Sequence, residues 1–384
     1  MLKSRDFFNL LKASDIIFFT GVPDSLLKHF CAYIADHTGK SNHIITANEG
    51  GAIALAAGHY LATSKSALVY MQNSGQGNSI NPLVSLADPK VYGLPMLLLI
   101  GWRGQPIRQA RGKPVSIDEP QHEKQGSITL DLLKTLGIKY AALPKDARLA
   151  KLALAKAVKY MKKQKAPYAF VVSKDTFEPH KVAGSHQRQT KLSREDAVKM
   201  VIDQSDSKDT IVSTTGMISR ELFEYRESLK QKHDSDFLTV GSMGHVSQIA
   251  LGIALAKPKR SVYCLDGDGS VIMHMGSLAI IGQAKPGNLR HIVFNNGVHD
   301  SVGGQPTAAA NISLAKIAKD CGYRIALTAD SVASVRASLA KLKTSHGPAM
   351  LEINVSKGHR DNLGRPKMTP EQLKKKFMKY LTNA

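Results

Sequence analysis

The chain has 384 residues, 43% of them hydrophobic, which is enough to bury the cores of two domains of ordinary size. Its apolar runs are far shorter than the roughly 20 residues of a membrane-spanning helix, and its amino terminus, MLKSRDFFNLLKASD, has charges where a signal peptide would be apolar, so we expect no membrane partner and a cytoplasmic location. The formal net charge is +21, yet lysine and arginine are dispersed and only 6% of residues are aromatic, which argues against a nucleic-acid partner. We interpret the charge as a generally basic proteome, with a small anionic ligand as a further contributor.

The first half predicts alternating helices and strands. SRDFFNLLKASD predicts a helix with Ser4 as its N-cap, and the strand IIFFTG and a helix from PDSLLKHF follow. NEGGAIALAAGHYLATSKSALVYMQNSGQGN then predicts a small-residue helix, a basic turn, a buried strand and a glycine-rich loop. A further helix and the apolar strand LPMLLLIG complete a pattern typical of parallel α/β sheets.

The second half repeats this order of elements. It begins with the helix SREDAVKMVIDQ, capped by Ser193, and continues with TIVSTTG, MISRELFEY, GHVSQIALGIALAKPKRSVYCLDGDGS and LRHIVFNN. We therefore predict two similar three-layer α/β domains with parallel sheets and no middle domain. The expected boundaries are 1–180 and 194–384, joined by a polar linker at 181–193 that has no apolar periodicity.

Two polar groups follow neighbouring strands of the second half. Asp268 lies in GDGS at the end of one strand, and Asn296 follows the next strand. Because parallel strands joined by a helix end at the same sheet edge, we expect the two side chains to lie close together. Their oxygens suit magnesium. Gly267 and Gly269 would allow a close approach, and Ser270 could donate to a phosphate.

GDG followed at this distance by NN resembles the signature of thiamine-diphosphate enzymes. The resemblance implies that Asp268, the Asn296 side chain and the Val298 carbonyl hold magnesium, with two diphosphate oxygens and a water. GSMG and STTG resemble other cofactor-contacting segments of these enzymes. They imply that Met243 supports the bent cofactor, although plain core packing is an alternative for this residue. The other implied cofactor contacts are Gly241, Ser242, Thr214, Thr215 and Gly216.

A candidate activating acid lies in the first half. NEGGAIALAAGHYLA resembles the segment that bears the activating glutamate of pyruvate-decarboxylase-like enzymes, which implies that Glu49 contacts the pyrimidine ring. An exposed first-turn glutamate that complements the helix dipole is the alternative. Asn73 and Gly75, around GQGN, are expected pyrimidine-side contacts, unless GQGN is a simple left-handed turn. In that family the two domain types face each other across subunits, which implies a dimer or tetramer with sites at the interface.

The local motifs favour one group within this family. GVPDSLL, YMQNSGQGN, GWRGQP, DEPQHEKQG, TTGMISREL and NNGVHDSVGGQPT resemble segments of phosphonopyruvate decarboxylases. The resemblance implies a thiamine-diphosphate- and magnesium-dependent lyase that converts 3-phosphonopyruvate to phosphonoacetaldehyde and carbon dioxide, in phosphonate biosynthesis. Sulfopyruvate or another anionic 2-oxo acid is the alternative substrate.

The same motifs supply candidates for proton transfer and substrate binding. Asp24 and His122 are candidate catalytic residues, with a helix N-cap and a surface loop position as their alternatives. Arg103 is the first candidate for binding the anionic group of the substrate, with Arg108, Arg111 and Lys113 behind it. His299, Asp300 and Gln305 lie just beyond the magnesium loop and are expected to close over the substrate. The segment 105–117 is longer and more basic than the loop of the family it resembles, so the exact contacts stay open.

An alternative from another functional class is a basic regulatory or nucleic-acid-binding protein that has an inactive cofactor-binding fold. Its only support is the charge of +21. It predicts the loss of Asp268, Asn296 or Glu49, and all three are present. The scattered cysteines Cys31, Cys264 and Cys321 have no metal-ligand spacing and fit a reducing compartment.

Overall fold

A computed structural model describes residues 1–107, 118–180 and 191–382. The chain divides into two compact units. The first comprises Met1–Ser185 with Val302–Gln305, and the second comprises His186–Ser301 with Pro306–Ala384. Most of the expected linker, 181–190, lies outside the described residues, so the expected domain boundaries stay predictions.

The first unit alternates helices and strands as the sequence predicts. Its elements are α1 (Ser4–Ala13), β1 (Phe19–Gly21), α2 (Lys28–His37), β2 (His43–Ile45), α3 (Glu49–Thr63), β3 (Leu68–Gln72), α4 (Gln76–Pro82), β4 (Leu97–Gly101), α5 (Pro120–Thr135), β5 (Lys139–Ala142), α6 (Ala147–Gln164) and β6 (Tyr168–Val172). The six strands form one parallel sheet in the order β2-β1-β3-β4-β6-β5.

The second unit repeats this alternation. Its elements are α7 (Arg194–Gln204), β7 (Thr210–Ser213), α8 (Met217–Ser228), β8 (Asp236–Leu238), α9 (Val246–Ala256), β9 (Val262–Gly267), α10 (Asp268–Met273), α11 (Ser277–Ala284), β10 (Leu289–Asn295), β11 (Val298–His299), β12 (Gln305–Pro306), α12 (Leu314–Asp320), β13 (Ile325–Ala329), α13 (Val332–Thr344), β14 (Ala349–Asn354) and α14 (Pro370–Thr382). Its main sheet is parallel, in the order β13-β14-β10-β9-β7-β8. The strands β11 and β12 form a separate two-stranded sheet.

The two main sheets have the same topology. Read from its other edge, the second sheet runs β8-β7-β9-β10-β14-β13, which matches the first sheet strand for strand. Apolar clusters cover both faces of each sheet. In the first unit, one cluster includes Phe7 of α1 and Phe30 of α2, and the opposite one includes Ile53 of α3 and Leu133 of α5. The prediction of two similar three-layer α/β domains is confirmed.

Two local predictions are wrong. Ser4 is the first residue of α1, whose N-cap is Lys3 without a side-chain cap, and the buried Ser4 hydroxyl has no hydrogen-bond partner in the described part of the chain. GQGN is neither a loop nor a left-handed turn, because a 3-10 turn at Asn73–Gly75 continues directly into α4. Ser193 does cap α7, since its side chain accepts from the Asp196 amide.

Parallel strands place all the candidate loops of a unit at one sheet edge. In the first unit, β1, β3 and β4 end just before Asp24, Asn73 and Arg103. In the second unit, β9 and β10 end just before Asp268 and Asn296. No helix within 1–107, 118–180 or 191–382 is long and apolar enough to cross a membrane.

A close backbone contact holds the GWRG loop against α5. Gly104 has a φ of 65°, and a Cβ on Gly126 would lie only 1.8 Å from the Gly104 carbonyl oxygen. The Trp102 indole nitrogen donates to the Gly126 carbonyl at 2.8 Å. Neither backbone can move away without breaking this packing, so the glycine of HEKQG is required sterically.

We predict that Gly126→Ala lowers the free energy of unfolding by about 1–3 kcal/mol, because the methyl group meets backbone rather than a flexible side chain. Gly58→Ala in α3 is the control. Its Cβ meets nothing within 4 Å apart from neighbouring helix backbone, so the change should stabilise by up to about 1 kcal/mol. Urea unfolding of both variants measures this, and an unchanged midpoint for Gly126→Ala would contradict the packing argument.

Candidate active site

The hydroxyl of Ser270 joins three loops at the edge of the second sheet. The Gly244 amide donates to Ser270 Oγ at 3.1 Å, and Thr214 Oγ1 lies 3.2 Å from the same oxygen. Thr214 and Ser270 are each 4% exposed. We call this arrangement of Thr214, Gly244 and Ser270 the Ser270 junction. It brings together GDGS, GSMG and STTG, three segments that the sequence analysis connected only through resemblance.

The GSMG loop has an uncommon backbone. Ser242 has a φ of 55° and Gly244 a φ of 87°. A left-handed conformation costs a residue with a side chain roughly 1–2 kcal/mol, and such conformations cluster at functional sites. Between them, Met243 is only half-buried, while Ser242 is exposed and Gly241 half-buried. In the STTG loop, Thr215 is half-buried and Gly216 has a φ of 99°.

Only one of the two GDG glycines has side chains packed closely against it. A Cβ on Gly269 would lie 2.9 Å from the His299 ring and 3.4 Å from Met243 Cε, whereas a Cβ on Gly267 meets only Ile218 at 3.8 Å. The expected close approach is therefore found at Gly269. Burial lowers the pKa of His299 to about 4, so this ring is neutral at pH 7.

Asp268 and Asn296 offer oxygen atoms at neighbouring positions of the same edge. In the pairing of β9 with β10, Phe294 lies opposite Gly267. Asp268 Oδ2 accepts from the Thr307 hydroxyl at 2.5 Å. Asn296 Oδ1 accepts from the Val298 amide at 3.1 Å, and its Nδ2 donates to Asp300 at 2.7 Å. Carboxylate, amide and carbonyl oxygens of this kind suit a hard divalent cation.

In the first unit, Glu49 is buried at the start of α3. It is 5% exposed, and Asn78 Nδ2 donates to its Oε2 at 2.8 Å. A Cβ on Gly75 would lie 2.2 Å from Glu49 Oε1, so only glycine leaves room for this carboxylate. The reading of Glu49 as an exposed first-turn residue is therefore wrong. Asn48 supplies the helix cap, since its Oδ1 accepts from the Gly51 amide.

Asp24 is buried completely beside the end of β4. Its Oδ2 accepts from the Leu26 amide at 2.5 Å and from the Leu27 amide at 3.4 Å. A Cβ on Gly101 would lie 2.6 Å from Oδ1, an atom with no hydrogen-bond partner among the described residues. Burial raises the pKa of Asp24 to about 7, although both amides and the Arg103 charge act in the opposite direction.

Arg103 follows the end of β4, and His122 lies in the first turn of α5, both in the first unit. Arg103 donates to Asp118 through Nε and Nη2 and to the Ser25 hydroxyl through Nη1. Burial, and then the charge of Arg103, lowers the pKa of His122. His122 Nδ1 is buried with no hydrogen-bond partner in the described ranges. Arg108, Arg111 and Lys113 lie outside the described residues.

Two further candidates differ in how their polar atoms are used. Asn73 is bonded within the protein at both ends of its amide, because Nδ2 donates to the Arg103 carbonyl and the Thr129 hydroxyl while Oδ1 accepts from the Arg103 amide. Gln305 is 1% exposed, and neither polar atom of its side chain has a partner among the residues described.

Two family models match most of this chain. Residues 3–140 match the N-terminal TPP binding domain of thiamine pyrophosphate enzymes, and residues 214–353 match the C-terminal TPP binding domain. The chain belongs to the thiamine pyrophosphate enzyme family. It is a thiamine-diphosphate-dependent decarboxylase, a carbon–carbon lyase, because its full-length curated relatives are named decarboxylases.

The relatives align over nearly their whole lengths. A phosphonopyruvate decarboxylase of Streptomyces viridochromogenes is 32% identical over 100% of this chain and 96% of its own. One of Streptomyces hygroscopicus is 30% identical over 100% of this chain and 94% of its own. A sulfopyruvate decarboxylase of Methanosarcina acetivorans is 27% identical over 88% of this chain and 87% of its own. The resemblance stated from the motifs is confirmed.

Sequence reasoning missed the residues that orient Asn296 in this decarboxylase. The Asp300 carboxylate accepts from Asn296, from Arg194 Nη1 at 2.9 Å and from the Gly358 amide. Arg194 in turn pairs with Glu221 at 2.9 Å. Asp300, expected to close over the substrate, therefore has its carboxylate engaged by this network. Arg194 and Asp300 are 106 positions apart, so no local pattern signals the contact.

Asp266 was missed as well. Its Oδ1 accepts from the Gly267 amide at 2.9 Å, and its Oδ2 lies 3.3 Å from His291 Nε2. His291 Nδ1 lies 3.1 Å from the Tyr323 hydroxyl. This buried chain of polar groups holds the backbone one residue before Asp268. An acidic residue inside the apolar strand VYCLDG is the signal that could have revealed it.

The raised pKa of Asp24 predicts a pH dependence of stability. The unfolded chain loses this proton near pH 3.8 and the folded chain near pH 7, so stability falls as the pH rises between these values. Asp24→Asn has no charge to bury. We predict that the free energy of unfolding of this variant, relative to that of the wild-type protein, rises by about 2–3 kcal/mol between pH 5 and pH 8.

Urea unfolding at the two pH values measures this difference. Asp175→Asn is the control, because Asp175 is exposed and its left-handed backbone also suits asparagine. A relative stability of Asp24→Asn that is the same at both pH values would show that Asp24 ionises normally in the folded protein.

Proposed function

We propose that this enzyme catalyses the magnesium-dependent decarboxylation of 3-phosphonopyruvate to phosphonoacetaldehyde and carbon dioxide, a step of phosphonate biosynthesis. The observation that carries this substrate is the full-length similarity to two phosphonopyruvate decarboxylases. Sulfopyruvate is the second candidate, because sulfopyruvate decarboxylases also match this chain. Both substrates are 2-oxo acids with an anionic tail.

The edge of the second sheet fits a diphosphate with its metal. The oxygen set of Asp268, Asn296 and the Val298 carbonyl suits magnesium, and the lack of a side chain at Gly269 lets the His299 ring and Met243 lie close to the start of α10. Thiamine diphosphate, when bound, accepts the electron pair that the departing carbon dioxide leaves behind. The residues proposed to contact it here are Gly241, Ser242, Met243, Thr214, Thr215, Gly216, Gly267, Gly269 and Ser270.

Glu49 is the proposed acid for the pyrimidine ring nitrogen, with Asn73 and Gly75 on the same side. The hydrogen bond from Asn78 and the contact with Gly75 hold the Glu49 carboxylate in one orientation. A buried carboxylate fixed in this way can keep a proton contact with a ring nitrogen while excluding water.

Asp24 and His122 are the proposed proton-handling residues. With a pKa of about 7, the Asp24 carboxyl exchanges its proton readily near neutral pH. Burial lowers the pKa of His122, which favours the neutral ring, and a neutral imidazole can either donate or accept a hydrogen bond.

The anionic tail of the substrate requires cationic or neutral donors. Arg103 is the first proposed contact, since it follows β4 at the sheet edge and donates in a planar fork. His299 and Gln305 are neutral proposed contacts, and the buried amide of Gln305 has no hydrogen-bond partner within the described ranges. Arg108 is a further proposed contact from the basic segment.

We also propose self-association as a dimer or tetramer, with active sites at the subunit interface, as expected for this family. Light scattering coupled to size exclusion, with and without thiamine diphosphate and magnesium, tests this proposal. A monomer that forms aldehyde at full rate would contradict it.

The substrate proposal is tested by assaying phosphonopyruvate, sulfopyruvate and pyruvate side by side with thiamine diphosphate and magnesium. We expect the highest kcat/KM for phosphonopyruvate, with aldehyde and carbon dioxide formed in equal amounts. A higher kcat/KM for sulfopyruvate would favour the second candidate, and equal values for all three acids would show that the tail is not recognised.

We predict that Glu49→Gln binds thiamine diphosphate with nearly unchanged affinity but loses about 100-fold or more in kcat, the scale of a lost acid–base contact. The amide has the same shape but cannot hold the acidic proton. Glu123→Gln is the control, an exposed glutamate in the first turn of α5. Calorimetric titration and steady-state rates measure the two effects, and a fully active Glu49→Gln would remove Glu49 from the mechanism.

We predict that Asp268→Ala loses magnesium-dependent binding of thiamine diphosphate by about 10- to 1000-fold, because the metal loses a charged ligand. The matched control is Asp320→Ala, at the exposed end of α12. Calorimetry with and without magnesium measures both variants. Unchanged affinity in Asp268→Ala would show that GDGS is only a structural turn.

A further inference from the structure

The backbone of Arg103 is fixed by Asn73. The Asn73 amide group donates to the Arg103 carbonyl at 2.8 Å and accepts from the Arg103 amide at 3.2 Å. The end of β3 is thus tied to the end of β4. Thr129 of α5 accepts from the same Asn73 nitrogen at 2.9 Å, which adds the helix to this connection.

The guanidinium of Arg103 is fixed separately, by Asp118. Nε and Nη2 donate to the two carboxylate oxygens at 2.8 and 2.5 Å, a bidentate geometry. The carboxylate also accepts from the Gly104 amide at 2.9 Å and the Glu119 amide at 2.8 Å. Asp118 is therefore itself held from the loop and from the start of α5.

Two N–H groups of the guanidinium have no hydrogen-bond partner among the described residues. Of its five N–H groups, the bonds to Asp118 and Ser25 use three. The side chains of Arg103 and Asp118 are 21% and 18% exposed, so the ion pair is partly accessible to solvent. The hydrogen bonds that Arg103 donates to the Asp118 carboxylate raise the pKa of Arg103, so the cation persists throughout the working pH range.

We propose that Asp118 is a positioning residue for substrate selection: it holds the Arg103 guanidinium in the orientation in which the remaining N–H groups bind the anionic tail of the 2-oxo acid. This inference rests on the proposed function. A guanidinium that is already oriented loses less side-chain entropy on binding than a free one. The benefit applies only to substrates with a tail, so Asp118 acts on selection between 2-oxo acids.

The test uses Asp118→Asn, which keeps the shape of the side chain and removes its charge. We expect KM for phosphonopyruvate to rise by about 10- to 100-fold, the range for one charged hydrogen-bonding partner. Its kcat, and kcat/KM for pyruvate, should stay within about threefold, inside the range of an unperturbed enzyme. Asp131→Asn is the control, because Asp131 and Lys134 form an exposed ion pair on α5.

A double-mutant cycle shows whether Asp118 acts through Arg103. In the Arg103→Ala background, Asp118→Asn should change the ratio of KM for phosphonopyruvate to KM for pyruvate by less than about twofold. The reason is that the guanidinium that Asp118 orients is absent from this background. An equal effect with and without Arg103 would overturn the inference. A lower KM for phosphonopyruvate in Asp118→Asn would also overturn it, because Asp118 would then act only by repelling the anion.

The remaining outcomes separate this inference from the proposed function. If the wild-type enzyme prefers phosphonopyruvate but Asp118→Asn does not change the ratio of KM for phosphonopyruvate to KM for pyruvate, only the inference about Asp118 is wrong. Equal losses with both substrates and a lower unfolding temperature would show a purely structural role, which also overturns it. If the unchanged enzyme forms no aldehyde from any acid with a tail, the proposed function fails and the inference fails with it.

Discussion

The cofactor side of this enzyme depends on one buried hydroxyl. Ser270 Oγ contacts the Gly244 amide and Thr214 Oγ1, so three loops that follow different strands have a common point. The parallel sheet brings these loops to one edge, but a sheet alone does not fix their separations. The Ser270 junction does, and it lies two residues from Asp268, so the proposed metal ligand is placed by the same contact that orders the GSMG loop.

In the first unit, glycine residues fix the positions of buried carboxyl groups. The buried carboxylates, Glu49 and Asp24, each lie against a glycine that could not have a side chain, Gly75 and Gly101. Burial of a carboxylate is costly, and the cost appears in the raised pKa of Asp24. Glycine lets each carboxyl group lie directly against the backbone, where its orientation is fixed, as the proposed proton-transfer roles of these residues require.

Much of this could be predicted from the sequence because it repeats. The alternation of elements in both halves predicted two sheets of the same topology, and the spacing of Asp268 and Asn296 predicted neighbouring strand ends. Local patterns were less secure at element ends. Ser193 accepts from the Asp196 amide as an N-cap should, whereas Ser4 became the first helical residue with Lys3 before it.

The rest could not be predicted because it depends on contacts between distant positions. Arg103 was chosen for its place after a strand, but the partner that orients it, Asp118, lies beyond a basic segment whose course the sequence does not indicate. Asp300 was placed near the substrate, yet Arg194, 106 positions away, holds its carboxylate. Hydrogen bonds of this kind depend on side-chain direction, which periodicity does not determine.

Cofactor placement can be measured most directly by diffraction from crystals grown with thiamine diphosphate and Mn²⁺, whose anomalous signal marks the metal. We predict one anomalous peak in direct contact with the Asp268 carboxylate and the Asn296 amide oxygen, with the diphosphate beside Ser270. A cofactor bound with its metal held by other side chains, or bound away from the Ser270 junction, would contradict the proposed site.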